Sequence, residues 1–325
     1  MKPYKGFKRE HSMMNLITRT AIFGVVFAGF LMLGGVSAER VEIPGEHGSD
    51  QVLIVTTTSV DQTGLIGELE KQFVEQYNLT KIEWIVKSTR AALNEGRNCS
   101  VDIVMVPDKE AEDQFIAEGY GLNRRYFASN YYIIVGPESD PAQIRGMTAV
   151  QACKAIAEGA ATNATILFIS RGDNSGTHAK ERSIWEKAGL NYSAISNTDV
   201  SSWYVNAGAD IGPVLTMASE KHAYTIVNAA VFTTDDTNLS LVRLVDEGDD
   251  DLINIYSVMM VNTELCPQVN VQGAQDWINF LISNDTQDFL REYGKEKYGD
   301  AFFIPARGDE KALNVTTEEI ESMVE

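Results

Sequence analysis

Histidine and cysteine are scarce in this chain of 325 residues, and basic side chains are scarce beyond its first segment. Each shortage removes a class of function. His11, His47, His178 and His222 stand far apart, and no grouping of His, Cys and Asp has metal-ligand spacing. Cys99, Cys153 and Cys266 form neither a disulfide framework nor a zinc pattern; at most one bridge can form, and scattered buried thiols are the expected state. There is no Gly-x-Ser-x-Gly elbow, so Ser175 and His178 have no third partner lined up for nucleophilic chemistry. His178 is expected instead as a polar helix residue near a cleft. Gly119-Tyr120-Gly121 is too short for a dinucleotide loop, and Asp246 to Asp251 (DEGDDD) lacks the alternation of a calcium loop and reads as a solvated turn. Neither a cofactor nor a metal is expected.

What is present begins with an export signal. Lys2, Lys5, Lys8, Arg9 and Arg19 make a basic leader, Ala21 to Gly35 is an apolar run of 15 residues, and Val36-Ser37-Ala38 offers a cleavage point. The run falls short of the roughly 20 residues that span a bilayer. Residues 1–38 are therefore expected to be a signal peptide, with an uncleaved anchor as the alternative, and the product to sit in the periplasm or on the outer face of the cell membrane. Without that leader the chain carries 22 Lys+Arg against 45 Asp+Glu, a formal charge of −23. Such a surface excludes nucleic acid as a partner, but a buried site inside an acidic shell can still be locally positive. Seven Asn-x-Ser/Thr sites leave glycosylation open.

The remaining 287 residues suffice for two cores. Strands are expected at Gln51–Val55, Ile82–Val86, Val101–Val106 and Tyr132–Val135, with helices between them at Leu65–Gln76, Arg90–Asn94 and Lys109–Glu118. That alternation predicts a parallel sheet with helices on its faces. Gly136-Pro137 punctuates the chain, and a second α/β series runs on through Tyr256–Val261 to helices at Ala274–Leu281 and Thr286–Tyr293. Two α/β lobes, one of them inserted into the other, and a single doubly wound sheet both fit this pattern.

The chemistry concentrates at three strand ends. Phe168 to His178 (FISRGDNSGTH) closes a strand, turns through two glycines and opens a helix capped by Ser175 or Thr177. Free N–H groups at a helix start, backed by the helix dipole, stabilise an anion, and Arg171 adds a planar five-donor cation. The plain alternative is a capped loop in which Arg171 pairs with Asp173. Thr56-Thr57-Thr58-Ser59 and Ser88-Thr89-Arg90 repeat the arrangement after two other strands, at the sheet edge where α/β ligands bind. Hydroxyls there donate without adding charge. Trp203-Tyr204 either lines the cleft or packs at a lobe junction.

With TTTS at 56–59, SRGDNSGTH at 170–178, Ala117 to Gly121, Trp185 to Gly189, Ala223-Tyr224-Thr225 and Phe302 to Pro305, the chain resembles the tungstate-binding proteins of ABC importers. They are a branch of the type II periplasmic-binding fold related to molybdate binders. The matching stretches keep family order from about residue 50 to 305. The resemblance implies an α/β fold of two lobes joined by two crossover strands, with residues 39–131 plus 258–325 as lobe 1 and 132–257 as lobe 2. It implies a tetrahedral oxyanion between them: tungstate first, then molybdate. Thr58 and Ser59, with Thr57 close by, would hold it from one lobe; Arg171, Ser175, Gly176 and Thr177 would hold it from the other. The role is transport rather than catalysis, by a monomer whose partners are an ABC permease and its ATPase. An exported sensor or interaction protein with a changed ligand such as phosphate or sulfate is the other class. The chain departs from the family where Ser88-Thr89-Arg90 replaces Gly-Thr-Gly, where Val227-Asn228-Ala229 replaces Thr-Asp-Arg, and where Pro107-Asp108 replaces His-Ala. Arg90, beside Thr89, is the candidate to restore the lost positive charge.

Overall fold

The computed structural model describes residues 51–77, 81–197, 202–235, 237–246 and 248–306; the leader and nearly all of the polar tail lie outside them. The order is β1 (Gln51–Thr56), α1 (Thr58–Gln62), α2 (Leu65–Tyr77), β2 (Lys81–Val86), α3 (Thr89–Arg97), β3 (Ile103–Val106), α4 (Lys109–Ala117) and β4 (Gly121–Pro137). Then come α5 (Ala149–Ala160), β5 (Phe168–Ser170), α6 (Gly176–Lys187), α7 (Tyr192–Ile195), β6 (Tyr204–Asn206), α8 (Ile211–Lys221), β7 (Thr225–Asn228), α9 (Ala229–Thr234) and β8 (Leu241–Val245). After a 3₁₀ turn, β9 (Ile253–Val261), α10 (Val271–Leu281), α11 (Asn284–Glu292), α12 (Lys295–Tyr298) and β10 (Ile304–Pro305) complete the chain. Among the described residues no helix is long and apolar enough to cross a membrane.

The sheet is mixed, which corrects the parallel expectation. β2, β1 and β3 run parallel, but β9 joins β3 antiparallel and β4 joins β9 antiparallel. A long return strand can only enter that way, because β4 leads out and β9 leads back. β4 also pairs β7 and β8 at its far end, so it passes through two hydrophobic bodies. Its early residues Phe127 and Ala128 pack with β1, β3, α2 and α10, whereas Tyr132 and Ile134 pack with α5 and Trp185. Ile133 and Val135, on the opposite face, pack with α8. Alternation along one strand thus serves a sheet covered on both sides. The result is two α/β lobes joined by the crossover strands β4 and β9.

A buried amide network lies across these two strands. The Asn254 and Asn228 side-chain amides both donate to Asn130 Oδ1, at 3.1 and 2.8 Å. Asn228 Oδ1 accepts the Ala230 and Val231 N–H groups and so caps α9. On the first lobe, Asp102 is fully buried and accepts the N–H groups of Leu53 and Asn270, tying β1 to the start of α10. Cys99 and Cys266 form a disulfide, which corrects the expectation of scattered thiols; only Cys153 is free and buried. In the acidic run, Asp249 accepts the Asp251 and Ala149 N–H groups, and Lys187 pairs with Asp251.

Candidate functional site

A small cavity opens between the carboxyl ends of β1, β2 and β3 on one lobe and the start of α6 on the other. Thr57, Thr58, Ser59, Thr89, Arg171, Ser175, Gly176 and Thr177 all line it. Arg90 does not. α3 begins at Thr89, which takes the buried position, and the next residue is carried about 100° round the axis, where Arg90 is exposed. Its charge still reaches across the cleft, helping to lower the His178 pKa. Pattern reading left out Lys87, Tyr132, Asn228, Gln62 and the apolar Ile211 and Val231, which also line the cavity. The position of Lys87, one residue before the Ser-Thr pair, was the available signal.

The first-lobe wall consists of hydroxyls that are not spent on the protein. Thr57 and Ser88 occupy the N-cap positions of α1 and α3, yet neither side chain makes a capping bond. Thr57 is 7% exposed and Thr89 2%, and the Oγ1 atom of each has no hydrogen-bond partner. Leaving a buried hydroxyl unmet costs on the order of 1–3 kcal/mol, so such groups ordinarily find acceptors. Ser59 Oγ accepts the Tyr256 hydroxyl at 2.9 Å, which leaves its own proton free to donate. Burial pushes Tyr256 up to about 12, more than the Ser59 and asparagine contacts pull it down, so it remains a donor.

The second-lobe wall is already organised. Arg171, 6% exposed, gives Nε and Nη2 to Asp173 Oδ2 (3.1 and 2.5 Å), and Nη2 lies 2.7 Å from Asp210. Asp173 Oδ1 accepts the Ser175 N–H. Burial pushes Asp173 up, but the Arg171 and Ser175 hydrogen bonds outweigh it and hold the carboxyl below its usual range. Ser175 Oγ caps α6 by accepting the His178 N–H. The Gly176 and Thr177 N–H groups precede the first helical bond, Ala179 N to Ser175 O, and form the open helix start. Two left-handed residues shape this loop, Gly172 (φ +61°) and Asn174 (φ +58°). A Cβ at Gly172 would fall 1.6 Å from Asn206 Oδ1, so any other residue here needs both the left-handed backbone and a displaced Asn206 side chain. A Cβ at Gly176 would lie 3.2 Å from Thr89 Oγ1 of the opposite lobe, which shows how closely the walls approach.

Among the described residues the lining has hydroxyls, amides, two cations and two helix starts of eight residues or more, but no carboxylate. Burial raises the Tyr132 pKa, so that hydroxyl also stays protonated. A cavity of about 30 Å³ holds a few heavy atoms, given the ~10–15 Å³ one water needs. The site is thus a donor-rich seat for a compact anion that brings acceptors.

Residues 44–285 match the model of the PBP superfamily domain. The chain is 34% identical over 281 residues to a tungstate-binding protein TupA of Peptoclostridium acidaminophilum, covering 85% of this chain and 93% of that protein. Among solved structures, the tungstate-binding protein TupA of Desulfovibrio alaskensis superposes with a TM-score of 0.67 at 34% identity, covering 78% of this chain and 98% of its own. A structure described as the tungstate ABC transporter of Geobacter sulfurreducens gives 0.66 at 34% identity, covering 76% and 100%.

Proposed function

This chain belongs to the PBP superfamily and, within it, to the family of the TupA tungstate-binding proteins, and from that premise we propose that it captures tungstate, with molybdate next, for an ABC importer. The observation that carries the reading is the pair of buried, unpartnered hydroxyls, Thr57 Oγ1 and Thr89 Oγ1, at a cavity with no lining carboxylate. A fully deprotonated oxyanion satisfies both at once. Thr57, Thr58, Ser59 and Thr89 donate from the first lobe, and Arg171, Gly176 and Thr177 from the second, with Ser175 holding the helix start. Lys87, rather than Arg90, supplies the second cation. The protein binds and releases without turnover, is exported, acts as a monomer and hands its ligand to a permease driven by an ATPase. The lobes divide as 39–131 plus 258–325 and 132–257, a division supported by two largely separate sets of buried residues, with Ala230 and Tyr256 packing into the first and Tyr131 against the second.

Titration calorimetry of the ligand-free protein against tungstate, molybdate, sulfate and phosphate tests the reading. Tight one-to-one binding of tungstate, ahead of the other three, is expected. Silence toward all four from a folded sample would sink the proposal.

A further inference from the structure

We propose that capture of the anion is coupled to protonation of Glu181, a buried carboxylate on the helix that seats the anion, so that the loaded protein holds a proton which the empty one releases. The inference rests on the oxyanion reading above. Glu181 is 1% exposed and lies in the second turn of α6. Three neutral donors meet it: Ser170 Oγ at 2.7 Å, Trp185 Nε1 at 3.1 Å and the Tyr204 hydroxyl. Among the described residues no Lys or Arg forms an ion pair with it, whereas Glu112, the other buried glutamate, has Arg124 at 3.5 Å. Ser170 directly precedes Arg171, and Gly176 starts the helix that carries Glu181. The carboxylate therefore sits only ~8 Å along the axis behind the anion's donors.

Negative charge at that distance repels the anion. At ~9 Å and an effective dielectric constant near 20, each charge on the anion raises the pH at which Glu181 protonates by roughly one unit. Burial already pushes this carboxyl up to about 7, against the opposing pull of Tyr204, Ser170 and Trp185, so the coupling falls in the neutral range. The surrounding groups do not compete for the proton. From α5, Cys153 is pushed up by burial, and so are Tyr192 of α7 and Tyr204 of β6. On the loop, Asp173 is held low. On α6 itself, His178 is pushed down by burial, and its Nδ1 accepts the Asn174 N–H, which leaves Nε2 as the N–H facing the Tyr192 hydroxyl. Protonating that ring would break the Asn174 contact. The Asp173 charge adds a smaller push in the same direction as burial, while Arg171 and Arg182 act on His178.

The sign follows directly. Well below pH 7 Glu181 is neutral in both states and the affinity for the anion is highest. As pH rises toward ~9, where a dianion would place the loaded carboxyl, the affinity falls about tenfold per unit of anion-induced change, and it levels off only above that, when both states are ionised. Calorimetry with tungstate at pH 7.5, in two buffers of equal pH and different protonation heats, measures the proton taken up. Wild type should show a buffer-dependent heat, Glu181→Gln none, and His178→Asn the same uptake as wild type. Equal wild-type heats in the two buffers overturn the coupling while leaving the oxyanion reading intact. Uptake that persists in Glu181→Gln also overturns it. No heat at all from folded wild type removes the oxyanion reading and the coupling together. Should Glu181→Gln fail to fold, Tyr204→Phe takes one donor from the carboxylate and should move the pH of greatest uptake upward; an unmoved profile counts against the proposal.

Discussion

The two walls of the cavity solve opposite problems. On the second lobe the charged and hydroxyl side chains are engaged before a ligand arrives, Arg171 by Asp173 and Asp210 and Ser175 by the helix it caps, and only the helix-start N–H groups are open. On the first lobe the N-cap hydroxyls of α1 and α3 are idle, and two buried threonine oxygens are unmet. A held wall supplies geometry, while an unmet wall supplies a gain that appears only when an anion enters. Binding energy in such a site comes largely from relieving unmet demand on one side, with the other side fixing where the oxygens must go.

The sharpest way to break this contrast is Arg171→Ala. Removing one partner of a buried charge cluster costs ~3–5 kcal/mol, and Asp173 and Asp210 would then face the anion alone, so calorimetry should show binding weakened by more than about 100-fold. Arg171→Lys keeps the charge but not the fork, and should recover only part of the affinity. Next come the hydroxyls. Thr57→Val and Thr89→Val should each weaken tungstate binding about five- to tenfold, yet leave the melting temperature of the empty protein unchanged or raised, because an unmet buried group is gone. Ser175→Ala should lower both affinity and melting temperature, since it loses a cap worth ~0.5–2 kcal/mol. If the threonine variants also melt lower, the first wall is not unmet and the contrast fails.

A smaller effect lies in the pH dependence of the empty protein. Burial raises Glu112 and Glu181 each to about 7, above the usual 4.5. A carboxyl raised on folding contributes stability that is fully present below its unfolded value and is lost as pH rises through the folded one. The melting temperature should therefore fall between pH 5 and 8, and Glu112→Gln and Glu181→Gln should flatten that fall. Smallest of all, Lys87→Ala should weaken binding a few-fold more than Arg90→Ala, because Lys87 lines the cavity and Arg90 does not. Equal losses would return the second cation to Arg90.

Much of this was legible from residues alone, for identifiable reasons. The apolar run Gln51–Val55 and the helical spacing from Leu65 both form as those patterns predict. β4 was legible only from Tyr132 onward. Its first half, Gly121 to Tyr131, loses the two-residue alternation where register shifts interrupt its pairing with β9 between Leu122 and Arg125 and between Tyr126 and Ala128. The cavity lining was legible where hydroxyls and glycines cluster at strand ends, and Arg171 with Asp173 lie close enough in sequence to be paired by inspection. Asp210 comes from another element, and no local pattern announces it. Lys87 and Tyr132 look like ordinary strand-end and strand residues until the opposite lobe is in place. The Cys99–Cys266 bridge spans 167 positions, a separation that three isolated cysteines cannot disclose.

That separation also sets an order of events. β3 lies between β1 and β9 in the sheet, with Ile103 paired to Met260, so the middle of the first lobe waits for a strand made long after its neighbours. A chain delivered N-terminus first can complete the inserted lobe, with its local contacts, while β3 still presents a bare edge and Cys99 a lone thiol. Until β9 arrives, that edge is the segment most open to pairing with a stranger.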